Sequence, residues 1–261
     1  MTRVTVLAPA KLTLSLRVTG VCDREPFQGF HLIDAVMTTL DLHDVLEIEE
    51  LPSGSPSRVT YTGTYSAGLD GSSGNDLVSR ALRATGRSAD VTVTKNVPHG
   101  GGLGGGSADA AAVLRWAGLT DLGLAARIGA DVAFCLSGHG RARVRGIGEI
   151  VDPLPEDPGT VTLIVPPFSV STPAVYHAFD EYEASPSEDL DDVGQNDLER
   201  AAIIVEPRLR EWKRLITEEC GVAPTLAGSG STWFALGEHG FLATRRNGPL
   251  TDAAVVVTTY R

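Results

Sequence analysis

The stretch "VPHGGGLGGGSADAAAVLRW", from Val97 to Trp116, packs six glycines into the seven positions Gly100 to Gly106 and runs directly into a strong helix start. Glycine carries a backbone-entropy penalty, so a run this dense points to close approach of the backbone to something. Three readings compete. A flexible linker is one, although linkers are usually Gly/Ser-rich and lead to another linker or a domain edge. A dinucleotide fingerprint is the second, because Gly100, Gly102 and Gly105 satisfy G-x-G-x-x-G. Its context is wrong: "KNVPH" separates strand from glycines, and no βαβ unit with an acid at a second strand end follows. A Walker A loop is excluded, since no Gly-Lys-Ser/Thr is present after the glycines. The third reading is a different phosphate loop. Open N–H groups and the positive dipole end of a helix hold an anion, and glycines let the backbone wrap a triphosphate without Cβ clashes. Ser107 can add a hydroxyl to phosphate or to a bound magnesium ion.

Such a loop needs a strand to deliver it and a helix to receive it. "ADVTVTKN" reads as the strand. "SADAAAVLRWAG" reads as the helix, with Ser107 as N-cap, Asp109 in the first turn and Gly118 at its end. Upstream, residues 3–19 alternate as a strand, with Leu12, Leu14, Leu16 and Val18 on one face. "FHLIDAVMTTLD" fits strand or helix, "DVLEIEE" and "SRVTYTGTY" read as further strands, and "NDLVSRALRATG" as a helix ending at Gly86. Downstream come two short helices in "DLGLAARIGADVAFCLSG", a hairpin in "GRARVRGIGEIVDPL" and a Pro-rich joint, "PLPEDPG", at 153–159. The joint divides the chain into 1–155 and 156–261. The second part reads as a strand, a helix from Pro173 to Tyr182, an acidic surface excursion "EASPSEDLDD", and a helix from Asp197 to Glu219. Two strands across a tight turn in "PTLAGSGSTWFALG", a short helix and the strand "AAVVVTTYR" complete it. Mixed elements of this kind give an α+β fold in two lobes.

Composition narrows the function. The chain has 261 residues, 42% hydrophobic and 21% charged, as in ordinary globular domains. No apolar run is long enough to span a bilayer, and Val4–Leu7 is too short for a signal-peptide core, so a cytoplasmic protein is expected. A net charge of -11 disfavours nonspecific nucleic-acid binding. Cys22, Cys135 and Cys220 form no CxxC pair, which argues against a structural zinc site, and the six histidines show no ligand spacing. Of 22 basic residues only Lys11, Lys95 and Lys213 are lysine. A lysine in a motif-like setting therefore invites the question of why arginine would not do.

"PHGGGLGGGSADAA" resembles the signature loop of the GHMP kinase superfamily, which includes galactokinase and the homoserine and mevalonate kinases. The likeness extends along almost the whole chain. "APAKLTLSL" resembles the N-terminal lysine motif, "GFHLIDAVMTTLDLHDVLEI" a substrate-base motif, and "GADVAF" the catalytic-aspartate motif. "VSTPAVY" and "NDLE" match the C-terminal lobe, and "LAGSGSTWFAL" resembles the third superfamily motif. Six matches in order are far more specific than any one. The six-glycine form is most similar to the branch acting on a cytidine-diphosphate-linked methylerythritol.

The resemblance implies a two-lobed GHMP kinase fold, with a ribosomal-protein-S5-like N-terminal lobe and a ferredoxin-like C-terminal lobe. It implies ATP, accompanied by magnesium without a dedicated metal cage, and a small-molecule alcohol as acceptor. Asp131 would be the base and Lys11 its cation, although on pattern alone Asp131 is a cap and Lys11 a strand-end lysine. ATP would lie on Pro98, Gly100, Gly101, Gly102, Leu103, Gly104, Gly105, Gly106 and Ser107, with Lys95 and Asp76 toward adenosine. Phe30 and Tyr176 would sandwich a cytosine, His31 would bond its edge, and Thr13 would face the acceptor. Thr13 stands where the family usually has Asn, and Phe30 where it has Tyr. Gly228, Ser229 and Gly230 would form a tight turn that closes the phosphate side or packs against the glycine loop. A kinase for another small alcohol, or a catalytically silent nucleotide-binding regulator, are the alternatives. The chain is expected to be a monomer or a homodimer.

Overall fold

The structure, a computed structural model, describes residues 3–181, 195–240 and 249–261. Its spine is an antiparallel ribbon of two long strands, β1 (Arg3–Val21) and β2 (His31–Glu50). The two stretches of β2 that read as separate elements form one strand, since no Gly or Pro interrupts them. On the edge of β2 away from β1, β5 (Arg141–Gly146) pairs with residues 33–38 and β4 (Ala89–Thr94) with residues 45–50. Strand β3 (Arg58–Thr62) joins β4 in parallel, and β6 (Ile150–Pro153) closes a hairpin with β5. Beyond the Pro-rich joint, β7 (Gly159–Val165), β8 (Thr225–Leu226), β9 (Trp233–Leu236) and β10 (Ala254–Tyr260) pair among themselves. The two halves of the sheet meet at one pairing, Tyr260 with Leu40.

The helices follow their sequence signals, with informative exceptions. Helix α1 (Leu77–Thr85) ends at Gly86 in a left-handed cap. Helix α2 (Gly105–Trp116) begins two residues before Ser107: Gly104 is its N-cap, and Ser107 lies in its first turn. The alanines 110–112 are fully buried and let α2 sit close on the sheet. Helices α3 (Leu122–Ile128) and α4 (Ala130–Ser137) follow as expected. Helix α5 (Thr172–Asp180) is capped by Ser171. The single helix expected over 197–219 is two, α6 (Leu198–Val205) and α7 (Arg208–Cys220), broken at Pro207, whose ring cannot continue the ladder. The acidic segment 183–192 lies outside the described residues.

Register shifts at Pro9/Lys11, Thr13/Ser15 and Val18/Gly20 interrupt the alternation of β1. Both of its faces are covered, so Lys11 through Leu16 are all buried and the expected polar-out face is absent there. Leu12 and Leu14 pack with Leu40, Leu163 and Phe234. Met37, Phe134 and Trp212 belong to a second cluster, which β2, α4 and α7 build together. Leu163 is fully buried, with neighbouring strands on both sides. Leu163→Ala should therefore destabilise the protein by about 2–5 kcal/mol in urea unfolding. A loss well under 1 kcal/mol would show that β7 is not a core strand.

Candidate active site

The glycine loop is held in place by a second loop. A Cβ on Gly102, where φ is +80°, would lie 2.1 Å from the carbonyl oxygen of Ala227. One on Gly104, at φ +66°, would lie 2.8 Å from Cγ of Lys11. Neither position tolerates a side chain, by space or by backbone angle. Gly228, Ser229 and Gly230 form the expected tight turn, closed by Gly230 N–H donating to the Ala227 carbonyl at 3.0 Å, within a connection, 227–232, that also donates Thr232 N–H to the Gly101 carbonyl at 3.3 Å. Asn196 fixes that connection: its amide donates to the carbonyls of Leu226 (2.8 Å) and Gly228 (2.7 Å). Helix α2 receives no side-chain cap, so the N–H groups of Gly105, Gly106 and Ser107 lack the intrahelical partners that later residues have. This bare, positive helix end can take an anion.

Below it lies a buried charge triad. The Lys95 ammonium contacts Asp44, and Asp109 Oδ2 at 2.6 Å, all three side chains being at most 2% exposed. A Cβ on Gly105 would come within 3.3 Å of both the ammonium and Asp44 Oδ2. Asp44 Oδ1 also accepts the N–H groups of Asn96 (2.6 Å) and Val97 (2.8 Å), which suits an ionised carboxylate. Asp109 Oδ1 has no partner. Burial, opposed by Lys95 and aided by Asp44, pushes the Asp109 carboxyl up to about 7. Two expectations, for Lys95 and Leu103, are corrected here. The Lys95 ammonium is turned inward and engaged by carboxylates, so it does not face a nucleotide. Leu103 points into the core, 1% exposed, and its carbonyl accepts the Lys11 N–H at 3.0 Å. Asp76 caps α1, accepting from Ser79 N–H (2.9 Å) and Tyr61 OH (2.8 Å).

Lys11 and Asp131 meet at Nζ–Oδ2 3.1 Å, from β1 and from the first turn of α4. Lys11 is buried and also donates to Thr13 Oγ1 at 3.1 Å, while Asp131 is 31% exposed at its side chain. Both line a cavity of about 190 Å³ whose walls include Gly102, Gly228 and Tyr176. A second cavity, about 360 Å³, is walled by Phe30, His31, Ile147 and Pro173 and shares Ile33, Ala130, Thr172 and Tyr176 with the first. The two adjoin across these shared walls and together reach from Gly102 to Phe30. Burial, with the Asp131 charge second, pushes the Tyr176 phenol up to about 12, so it stays protonated. The structure thus brings Lys11, Thr13, Asp131, Phe30, His31 and Tyr176 together along the cleft. Phe30 packs edge-on to Phe27, centroids 5.8 Å apart, and Tyr176 stacks on His31 at 4.5 Å rather than on Phe30.

The GHMP kinases N terminal domain family matches residues 76–139. The chain is 39% identical over 243 residues to 4-diphosphocytidyl-2-C-methyl-D-erythritol kinase of Paracoccus denitrificans, covering 88% of this chain and 85% of that one. The corresponding kinase of Cereibacter sphaeroides is 36% identical over 252 residues, covering 88% and 87%. The chain belongs to the 4-diphosphocytidyl-2-C-methyl-D-erythritol kinase family. A crystal structure of 4-(cytidine 5'-diphospho)-2C-methyl-D-erythritol kinase superposes with a TM-score of 0.72 at 30% identity, covering 98% of each chain. A mevalonate kinase, TM-score 0.60 at 11% identity, shares the fold alone. The fold is that of the GHMP kinases, which use ATP.

Sequence reasoning missed several residues that this kinase family member places around the cleft. Asp44 signalled nothing, since a lone Asp in a strand reads as surface, and Asp109 signalled only the start of a helix. Asp180, 2.7 Å from His31, lies far from it in sequence. The Thr172–Ser229 hydroxyl contact, 2.7 Å, bridges α5 and the 227–232 connection.

Gly102→Ala should abolish measurable turnover and nucleotide binding while leaving the far-ultraviolet circular dichroism intact. Retention of nucleotide binding would show that the loop can shift away from Ala227. Asp109 tests the triad. Its folded-state carboxyl titrates above the ordinary range, so its stabilising contribution is complete at low pH and is lost as pH rises from about 4 to 7. The stability of wild type relative to Asp109→Asn should accordingly fall between pH 4 and 7 in denaturant titrations and then level off. A flat difference would place the proton elsewhere.

Proposed function

We propose that this protein transfers the γ-phosphoryl group of ATP to the 2-hydroxyl of 4-diphosphocytidyl-2-C-methyl-D-erythritol, a step in non-mevalonate isoprenoid precursor biosynthesis. The observation that carries the reading is the Lys11–Asp131 pair, which lies in the cleft between the glycine loop and the aromatic cavity. Phosphoryl transfer is mostly positioning and charge stabilisation, and this order of parts supplies both. The open N–H groups of Gly105, Gly106 and Ser107, with the glycines before them, cradle the triphosphate. Asp131 takes the proton of the acceptor hydroxyl, and Lys11 stabilises the ionised carboxylate and the charge developing on the transferred group. Thr13 orients the ammonium. Phe30 and Tyr176 wall the base end, and His31 meets the base edge.

The bare end of α2 fits a nucleotide phosphate. Among the described residues no cluster of three or more His, Cys, Asp or Glu could hold a metal, so magnesium would be carried chiefly by the triphosphate oxygens, where it neutralises charge. Residues 1–155 would form the nucleotide-binding lobe and 156–261 the second lobe. The single β2–β10 pairing between the two groups of strands supports that division. We place the protein in the cytoplasm, as a monomer or homodimer without nucleic-acid or membrane partners. Its net charge of -11 speaks against a nucleic-acid partner, and among the described residues no helix is long and apolar enough to cross a membrane.

The test is ADP release with 4-diphosphocytidyl-2-C-methyl-D-erythritol. Wild type should release ADP rapidly, and Asp131→Asn should be slower by about 100-fold or more with nucleotide binding kept. Rapid release unchanged by the mutation would keep the substrate and discard the base. No release from folded, ATP-binding protein would discard the substrate.

A further inference from the structure

The base end of the cleft is an apolar slot of about 360 Å³ in which His31 supplies the ring nitrogens. Its imidazole does not turn freely. One face lies on Tyr176, centroids 4.5 Å apart and planes 24° from parallel, and Phe179 stands edge-on at 6.3 Å. Nε2 lies 2.7 Å from Oδ1 of Asp180, and among the described residues Nδ1 has no partner. Asp180 follows Tyr176 by one helical turn of α5, so a single helix carries both the stacking ring and the carboxylate.

We infer that Asp180 is a positioning residue that makes this slot prefer cytosine over uracil, by fixing the hydrogen of His31 on Nε2. The inference rests on the reading that the slot takes a pyrimidine base. An ionised carboxylate only accepts hydrogen bonds, so Nε2 must donate to it. The neutral imidazole then has a lone pair on Nδ1 as its open group. Cytosine offers an exocyclic amine, a donor, where uracil carries a carbonyl. A donor opposite Nδ1 is satisfied. A carbonyl there faces a second lone pair, and both groups lose their partners. Without a carboxylate at 180 the ring is free to take either tautomer, and the distinction fades.

The experiment is calorimetric titration of CDP and UDP at pH 8, above the ordinary imidazole range, with saturating ADP occupying the glycine loop. Wild type should bind CDP at least about tenfold more tightly than UDP. In Asp180→Asn the amide can accept from Nε2 or donate to it, so either tautomer is supported. The CDP:UDP ratio should fall to about threefold or less, chiefly through tighter UDP binding. Asp180→Ala removes the bias as well and serves if the amide variant does not fold. A residue that merely braced the ring would lower both affinities and leave their ratio unchanged. An unchanged ratio in the variants overturns the inference, as does wild type that binds both nucleotides equally or neither. The ratio is read without turnover, so a failure of ADP release in the kinase assay is distinguishable from a failure here.

Discussion

A helix that begins with three N–H groups and no side chain to accept them leaves a local excess of positive charge. In this protein that end is the start of α2, and much of the surrounding structure serves to keep it bare and in place. Gly104 enters the helix in a left-handed conformation, where a side-chain cap of the usual kind is not available. The 227–232 connection presses on Gly102 from the second lobe, and Asn196 holds that connection. The Asp44–Lys95–Asp109 triad fills the space beneath Gly105. Burying three charged groups is expensive in desolvation, and a triad of this kind is better evidence for fixed geometry than for net stability.

The second requirement is a polar pair in the cavity beside the glycine loop. Lys11 reaches that cavity because register shifts in β1 turn consecutive residues inward, and its N–H is tied to the glycine loop through Leu103. Asp131 reaches it from the first turn of α4, where the helix dipole favours a carboxylate. The two groups come from elements 120 positions apart in the chain, yet each is set by a local feature: a bulge for the lysine, a helix start for the aspartate.

The parts legible in the sequence were those whose signal is local. Glycine density, the helix ends at Gly86 and Gly118, and the β5–β6 hairpin all reflect short-range backbone chemistry. The pairing of Lys11 with Asp131 was suggested only by the order of six motifs, because a single Lys or Asp has a simpler local explanation. Lys95 and Leu103 were misread for one reason: they border the glycine loop in sequence, and sequence adjacency does not say which way a side chain turns. The division of α6 from α7 could have been read from Pro207. The contact of His31 with Asp180 could not, since it depends on how α5 packs against the start of β2.

Among the described residues no arginine lines either of the two adjoining cavities, and the start of α2 beside them offers backbone amides. Lys11 is buried, in a chain whose net charge is -11. Attraction for a polyanion is therefore short-ranged, while the molecule as a whole repels it from afar. Encounters with nucleotide gain nothing from long-range steering. Moderate salt, which slows association in proteins with basic funnels, should here shield the repulsion and leave capture undiminished.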